Sequence, residues 1–329
     1  MKHELGAKIV GTGRAVPENT LTNEDLEKMV DTSDEWIRER TGMKVRHIAE
    51  PGVDTSDLAT RAAENAMAAA GVTATEIDVI ILATITADVQ FPSTACYVQQ
   101  KIGAVNAAAF DIAAACSGFI YGLQLANSMF LSGKYKNILV IGAEVLSRIT
   151  DYTDRNTCVL FGDGAGAVLL QPTDGQSGII DTYIKSDGRL SHLLIMPGGG
   201  TRNPATYETI DQRMNYIKME GREVFKSAVT AMGDAATHIL KENGLTGKDI
   251  QLLITHQANN RIIEATARRV KISKDKVYSN VEHYGNTSAA SIPIALDEAI
   301  RDGRLKRGDK CMLVAFGGGF TWGSAIVQM

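Results

Sequence analysis

The chain carries two copies of one pattern. Sliding the sequence along itself lays "AAENAMAAAGVTATEIDVIILATITAD" (62–88) against "MGDAATHILKENGLTGKDIQLLITHQAN" (232–259), so that Gly71 falls on Gly244, and 244 − 71 = 173. The same step carries "NILVIGAE" from Asn137 onto "KCMLVAFG" from Lys310, and both are apolar runs of strand length ending in small residues. A nearby step of 170 sets "SGKYK" (132–136) over "DGRLK" (302–306). A sequence that writes one strand-and-helix unit twice predicts two similar halves. The turn-rich "QPTDGQSG" (171–178) predicts the junction, giving an N-terminal half at 1–175 and a C-terminal half at 176–329.

Within each half, strand candidates such as "VIILAT", "AAFDIAA", "NILVIG" and "AVLLQ" alternate with helix candidates such as "DLATRAAENAMAAAG" and "FKSAVTAMGDAATHILKENG". That alternation predicts layered α/β architecture, and 329 residues suffice for well-buried cores. No apolar run reaches membrane-spanning length and the N-terminus lacks a signal-peptide pattern, so a cytoplasmic protein is expected. A net charge of −4 argues against a generally basic nucleic-acid binder, while leaving room for a local cationic patch.

Four cysteines, Cys96, Cys116, Cys158 and Cys311, are scattered without CxxC spacing, which supports neither a structural zinc site nor a disulfide framework. Most free cysteines are small buried hydrophobes. Cys116 differs in context. In "DIAAACSGFIYGLQLANSMF" it sits where a strand run gives way to Phe119, Leu123, Ala126 and Phe130 at helical spacing. A thiol at a helix N-terminus is expected to have a lowered pKa, and Ala113 to Ala115 with Gly118 leave room for a substrate.

The repeat supplies partners. Adding 173 to Ala83 gives His256, at the tip of a strand in "LLITHQANNRI"; adding 170 to Cys116 gives Asn286 in "HYGNTSAASIPIAL". If the halves pack about a pseudo-twofold axis, Cys116, His256 and Asn286 converge. His283 is a rival to His256, and "YGNTS" also suits an ordinary turn. The glycines of "AFGGGFTWG" (315–323) allow backbone N–H groups to approach a ligand closely, as an oxyanion site needs. Dinucleotide, P-loop and HExxH patterns are absent.

Together, "VDTSDEWIRERTGMKVRHIA", "DIAAACSGFIYGL", "FGDGAGAVLL", "HQANNRI", "GNTSAASIPIAL" and "GGGFTWGSA" resemble β-ketoacyl-acyl carrier protein synthase III along essentially the whole chain. The resemblance implies the thiolase fold, two pseudo-symmetric halves in five α/β/α/β/α layers. It implies condensation of a short acyl-CoA, acetyl-CoA foremost, with malonyl-acyl carrier protein. Cys116 would be the nucleophile, His256 and Asn286 the pair on the second thioester carbonyl, and the Cys116 and Gly318 N–H groups the oxyanion hole. Trp36 and Arg155 would stack on adenine, with Thr32, Arg40, Gly221, Phe225 and Asn259 along the CoA path. Lys226 and Arg261 would meet the acidic carrier protein, and Phe91 would cross a homodimer interface into the partner's acyl pocket. No metal or redox cofactor is implied. Ala315 and Phe316 stand where degradative thiolases have a second cysteine, and Asn286 stands where elongating synthases have a second histidine. A specialised polyketide, quinolone or acyl-transfer synthase with the same triad remains open at this point, as does a noncatalytic acyl-CoA-binding protein.

Overall fold

The computed structural model describes residues 6–173 and 175–329, leaving His3 and one residue of the expected junction, Asp174, outside it. One five-stranded sheet holds β1 (Lys8–Ala15), β2 (Val79–Ala83), β3 (Ala108–Ile112), β4 (Ile138–Glu144) and β5 (Gly164–Gln171), in the order β1-β5-β4-β2-β3. The other holds β6 (Gly178–Ser186), β7 (Leu252–Thr255), β8 (Val277–Tyr278), β9 (Lys310–Gly317) and β10 (Thr321–Gln328), in the order β6-β10-β9-β7-β8. The orders match strand for strand. So do the directions: β2 runs parallel to β3 and β4, as β7 does to β8 and β9, and the remaining pairs are antiparallel.

Seven helices matter here: α1 (Asp34–Thr41), α2 (Thr55–Ala70), α3 (Thr94–Ile102), α4 (Gly118–Phe130), α5 (Gly221–Glu242), α6 (Asn260–Arg269) and α7 (Ser291–Arg301). Every residue of β2 and β4 is buried, because both sheet faces are covered and neither needs a polar side. Val79, Ile81 and Val140 on one face, and Ile254 and Leu313 from the other sheet, enclose Phe119 and Leu123 of α4 with Ile292 and Leu296 of α7. On the first sheet's outer face, Ile80, Leu82 and Leu139 pack on α2 and α3; on the second's, Leu253, Met312 and Val314 pack on α5 and α6. Five layers result, as the resemblance implied.

The displacement of 173 is visible in the backbone. Gly71 and Gly244, which follow α2 and α5, take φ of 66° and 63°, the left-handed geometry that glycine reaches without steric cost. Ala115 and Ser288, also 173 apart, are both non-glycine residues with positive φ, 45° and 49°, in short 3₁₀ turns that open α4 and α7. The step of 170 holds only beyond the helices, where Gly133 and Gly303 align, because α7 ends sooner than α4. The true counterpart of Cys116 is therefore Ala289, and that of Asn286 is Ala113, which corrects the sequence alignment of Cys116 with Asn286. The expected convergence of Cys116 and Asn286 survives on different grounds: the two turns that follow β3 and β8 meet at the junction of the sheets.

Candidate active site

Cys116, His256 and Asn286 line one cavity of about 740 Å³, a size ordinary for small-molecule sites. Each follows the C-terminal end of a strand that is paired in parallel, respectively β3, β7 and β8, which is where open α/β sheets gather ligands. All three are nearly enclosed, at 8%, 3% and 8% exposure. The mouth is marked by Arg40, Lys226 and Arg261, which are exposed, and by Trp36.

The turn that carries Cys116 is held from the opposite sheet. Ser117 Oγ donates to the Thr321 carbonyl (3.0 Å), and Thr321 Oγ1 donates to the Ala114 carbonyl (2.8 Å). Gly317, the last residue of β9, passes so close that a Cβ there would lie 2.6 Å from the Cys116 nitrogen. A second cavity, about 380 Å³, is also lined by Cys116; Leu146, Ile149, Ile217, Ser288 and Gly318 are among its other walls. Cys116 thus contributes to the walls of both spaces.

Asn286 is fixed by its neighbours. Its N–H donates to the Leu160 carbonyl (2.9 Å), its own carbonyl accepts from Gly162 (3.0 Å), and its side-chain Oδ1 accepts from the Ser288 N–H (2.9 Å). The amide oxygen being engaged, Nδ2 is the group left to donate. His256 Nδ1 lies 2.7 Å from Ser291 Oγ, at the first residue of α7. Ser291 occupies the place of Gly118 in the first half, since 118 + 173 = 291. Sequence reading missed Ser291, and the repeat offset was the signal that reaches it.

The electrostatics correct one expectation. The Cys116 thiol is pushed up to about 12 by burial, with the charge on Glu144 adding to the effect and Ser288 opposing it. The turn into α4 does not overcome desolvation of the buried sulfur. Burial likewise holds His256 neutral, down to about 3. Cys158, raised to about 11, and Cys311, raised further, are buried thiols that line neither cavity, and Cys96 is partly buried with its sulfur on the Ala109 carbonyl (3.8 Å). His283 is exposed and paired with Glu282 (2.9 Å), which removes it as a rival to His256.

Residues 110–188 match the family described as 3-oxoacyl-[acyl-carrier-protein] synthase III, and 240–329 match its C-terminal region. The β-ketoacyl-[acyl-carrier-protein] synthase III of Caldanaerobacter subterraneus subsp. tengcongensis is 54% identical over 328 residues, 100% of this chain and 99% of that one. This chain belongs to the synthase III family. The crystal structure of the Aquifex aeolicus synthase III superposes with a TM-score of 0.91 at 50% identity, covering 98% of this chain and all of that one. The priming β-ketosynthase of the R1128 polyketide pathway gives 0.91 at 31% identity, covering 100% and 98%.

The other synthase III positions divide. Trp36, Arg40, Gly221, Phe225, Lys226, Asn259 and Arg261 line the larger cavity with the triad. Asn259 also caps α6, its Oδ1 accepting from the Ile262 N–H (2.9 Å), and Arg261 lies 5.1 Å from the centre of the Phe225 ring. Lys226 is paired with Glu223 (2.9 Å). Thr32, Arg155 and Gly318 are outside that lining; Arg155 instead covers the Trp36 ring at 4.3 Å, and Gly318 faces the smaller cavity. Thr32 Oγ1 and Arg155 Nε are buried without hydrogen-bond partners, the latter beside the aromatic face. Phe91 lines neither cavity and stands 85% exposed. Among the described residues, no group of three or more His, Cys, Asp or Glu side chains is placed to hold a metal ion, and no helix is long and apolar enough to cross a membrane.

Proposed function

We propose that this chain joins a short acyl group, delivered as acyl-CoA with acetyl-CoA foremost, to malonyl-acyl carrier protein by decarboxylative Claisen condensation, opening type II fatty acid synthesis. The observation that carries this reading is the shared cavity: a cysteine, a neutral histidine and an oriented carboxamide at its closed end, and aromatic and cationic groups at its mouth.

The chemistry follows from that arrangement. Cys116 sulfur attacks the acyl-CoA carbonyl, the N–H groups of Cys116 and Gly318 take the oxyanion charge, and CoA leaves from the larger cavity while the acyl chain occupies the smaller one. Malonyl-acyl carrier protein then places its thioester carbonyl between His256 and Asn286. Ser291 Oγ already accepts from the Gln257 N–H (3.4 Å), which leaves its own proton for Nδ1; the neutral imidazole would then carry its proton on Nε2, and Nε2–H and Asn286 Nδ2–H would both donate to the carbonyl oxygen. Loss of carbon dioxide leaves an enolate that these two donors stabilise, at roughly 3 kcal/mol each. Its carbon attacks the acyl thioester, and the 3-ketoacyl carrier protein departs. The protein supplies donors and a dry cavity throughout.

At the mouth, Trp36 and Arg155 would stack on adenine once Arg155 moves off the Trp36 ring it covers at 4.3 Å, with Thr32, Arg40, Gly221, Phe225 and Asn259 along the CoA path, and Lys226 and Arg261 would meet the acidic carrier protein. Phe91, projecting into solvent, would enter the smaller cavity of a second subunit in a homodimer working in the cytoplasm. The likeness to a polyketide priming synthase keeps that chemistry as a second reading. Incubation with acetyl-CoA should add an acetyl mass to the protein and none to Cys116→Ala; condensation of a panel of straight and branched acyl-CoA primers with malonyl-acyl carrier protein separates the two readings. An unacylated wild-type protein would refute both.

A further inference from the structure

One fully buried cation has no part in the reaction above. Arg46 lies in the short strand Val45–His47 with no exposed surface, and the hydrogen bonds of its guanidinium go to neutral oxygens. Nε donates to the Val159 carbonyl (3.0 Å), Nη2 donates to the same oxygen, and Nη1 donates to Asn23 Oδ1. Burial lowers Arg46 to about 10, which still leaves it cationic at neutral pH. A buried charge resting on neutral acceptors is costly, so the contribution of Arg46 is sought in what it holds in place.

Val159 begins a strip, 159–162, on which Asn286 is laddered. The Asn286 N–H donates to the Leu160 carbonyl, the Asn286 carbonyl accepts from the Gly162 N–H, and Phe161 and Asn286 form an isolated parallel bridge. Both sides of this ladder lie against the stem of Arg46. A Cβ on Gly285 would lie 2.9 Å from the Leu160 carbonyl oxygen and 3.0 Å from Arg46 Cγ; one on Gly162 would lie 2.4 Å from the Tyr284 carbonyl oxygen and 3.4 Å from Arg46 Cβ. The backbone on either side of Arg46 is tied to the same two segments. The Lys44 N–H donates to the Glu282 carbonyl (3.0 Å), and the His47 carbonyl accepts from the Asp163 N–H (2.8 Å).

We propose that Arg46 is a positioning residue for Asn286, its guanidinium fixing the Val159 carbonyl and with it the strip that aims the Asn286 carboxamide at the second substrate's thioester carbonyl. The inference rests on Asn286 being a donor to that carbonyl. Strip and carboxamide move together, because the Asn286 backbone bonds to the strip through both its N–H and its carbonyl. The Cys116 turn, by contrast, is tied to β9 and β10 through Gly317, Ser117 and Thr321, so a slack strip leaves the nucleophile in place. Helix α1 has its own anchors. Asn23 Nδ2 donates to Asp34 Oδ1 (2.7 Å) and to the Met43 carbonyl (2.9 Å), which keeps Trp36 and Arg40 at the mouth without the arginine.

Arg46→Met and Arg46→Lys test the assignment. Methionine removes every donor, and lysine keeps the charge but offers a point donor in place of a planar fork. Val159 and Leu160 also line the larger cavity, so single-turnover acylation is read by intact mass at saturating acetyl-CoA, where both variants should match the wild type. Condensation with malonyl-acyl carrier protein should lose about 100-fold in kcat with KM unchanged, the effect of moving a reacting group by about 1 Å. Placed on Asn286→Ala, Arg46→Met should cost nothing further, since a residue that acts through Asn286 then has nothing left to position. Wild-type condensation in either single variant, an equal loss in acylation, or a full further loss in the double variant overturns the proposal. So does the absence of a cooperative thermal melt in both single variants, which would make Arg46 a requirement of the fold as a whole. Condensation at the wild-type rate in Asn286→Ala would instead overturn the donor assignment beneath it.

Discussion

Gly317→Ala tests whether the nucleophile is held by close approach of the second sheet. The added Cβ would meet the Cys116 nitrogen at 2.6 Å, its Cβ at 3.1 Å and its Cα at 3.2 Å, whereas ordinary contact begins near 3.4 Å. Gly317 lies in a regular strand outside the left-handed region, so alanine brings no backbone strain and the effect is purely steric. Relief needs a shift of about 0.8 Å between β9 and the Cys116 turn, the difference of those distances. Ser117 and Thr321 tie that turn to β10 by hydrogen bonds, so it cannot retreat alone. A misplacement of that size costs about 100-fold in a reaction that depends on aligned groups, or about 2.7 kcal/mol in barrier. Overpacking adds a loss of about 1–3 kcal/mol in stability. Single-turnover acylation by acetyl-CoA reads the first quantity and urea unfolding the second. Wild-type acylation together with an unchanged midpoint would refute the claim that the approach of β9 fixes the sulfur.

His256→Ala and Asn286→Ala should retain acylation of Cys116 but lower condensation by about 10²–10³-fold each, since either removes one donor to the enolate oxygen; separate acylation and condensation assays check this, and equal loss in both steps would contradict it. Stability should depend on pH through two opposed groups. Between pH 6.5 and about 3 the unfolded state takes up the proton that buried His256 refuses, so stability falls as pH falls. Between pH 4.5 and about 7 the folded state holds the proton that unfolded Glu144 loses, so that contribution falls as pH rises. The two slopes, each about 1.4 kcal/mol per pH unit, offset each other in the overlap. In Glu144→Gln the second slope is absent, and urea midpoints should drop on acidification from about pH 6.5 to 4.5; a midpoint no more acid-sensitive than the wild type's would count against the buried, protonated carboxyl.

Particular residues show how far the sequence could be read. Gly71 and Gly244 announced two helix ends because only glycine takes their φ without steric cost, and a conformational demand of that kind is written locally. His256 was placed at a strand tip by its apolar approach, and β7 indeed ends at Thr255. Asn286 was reached by a displacement that is wrong at that point; a helix shortened by a few residues shifts the register, and such an offset is invisible at low internal identity. The lowered thiol pKa was also misread, since the helix terminus is local and legible while desolvation depends on what the rest of the chain packs around the sulfur.

The sequence by itself determined the duplication, the alternation of buried strands with helices, and the residue types available for chemistry, because periodicity and backbone preference act over a few neighbouring residues. Only the tertiary structure decided which face of each turn meets the other half: that Ser291 orients His256, that Gly317 presses on Cys116, and that Ser288 shares a cavity wall with Cys116. Those are contacts between segments up to about 200 residues apart, made by packing two sheets around a pair of central helices, and no local pattern encodes the distance at which they close.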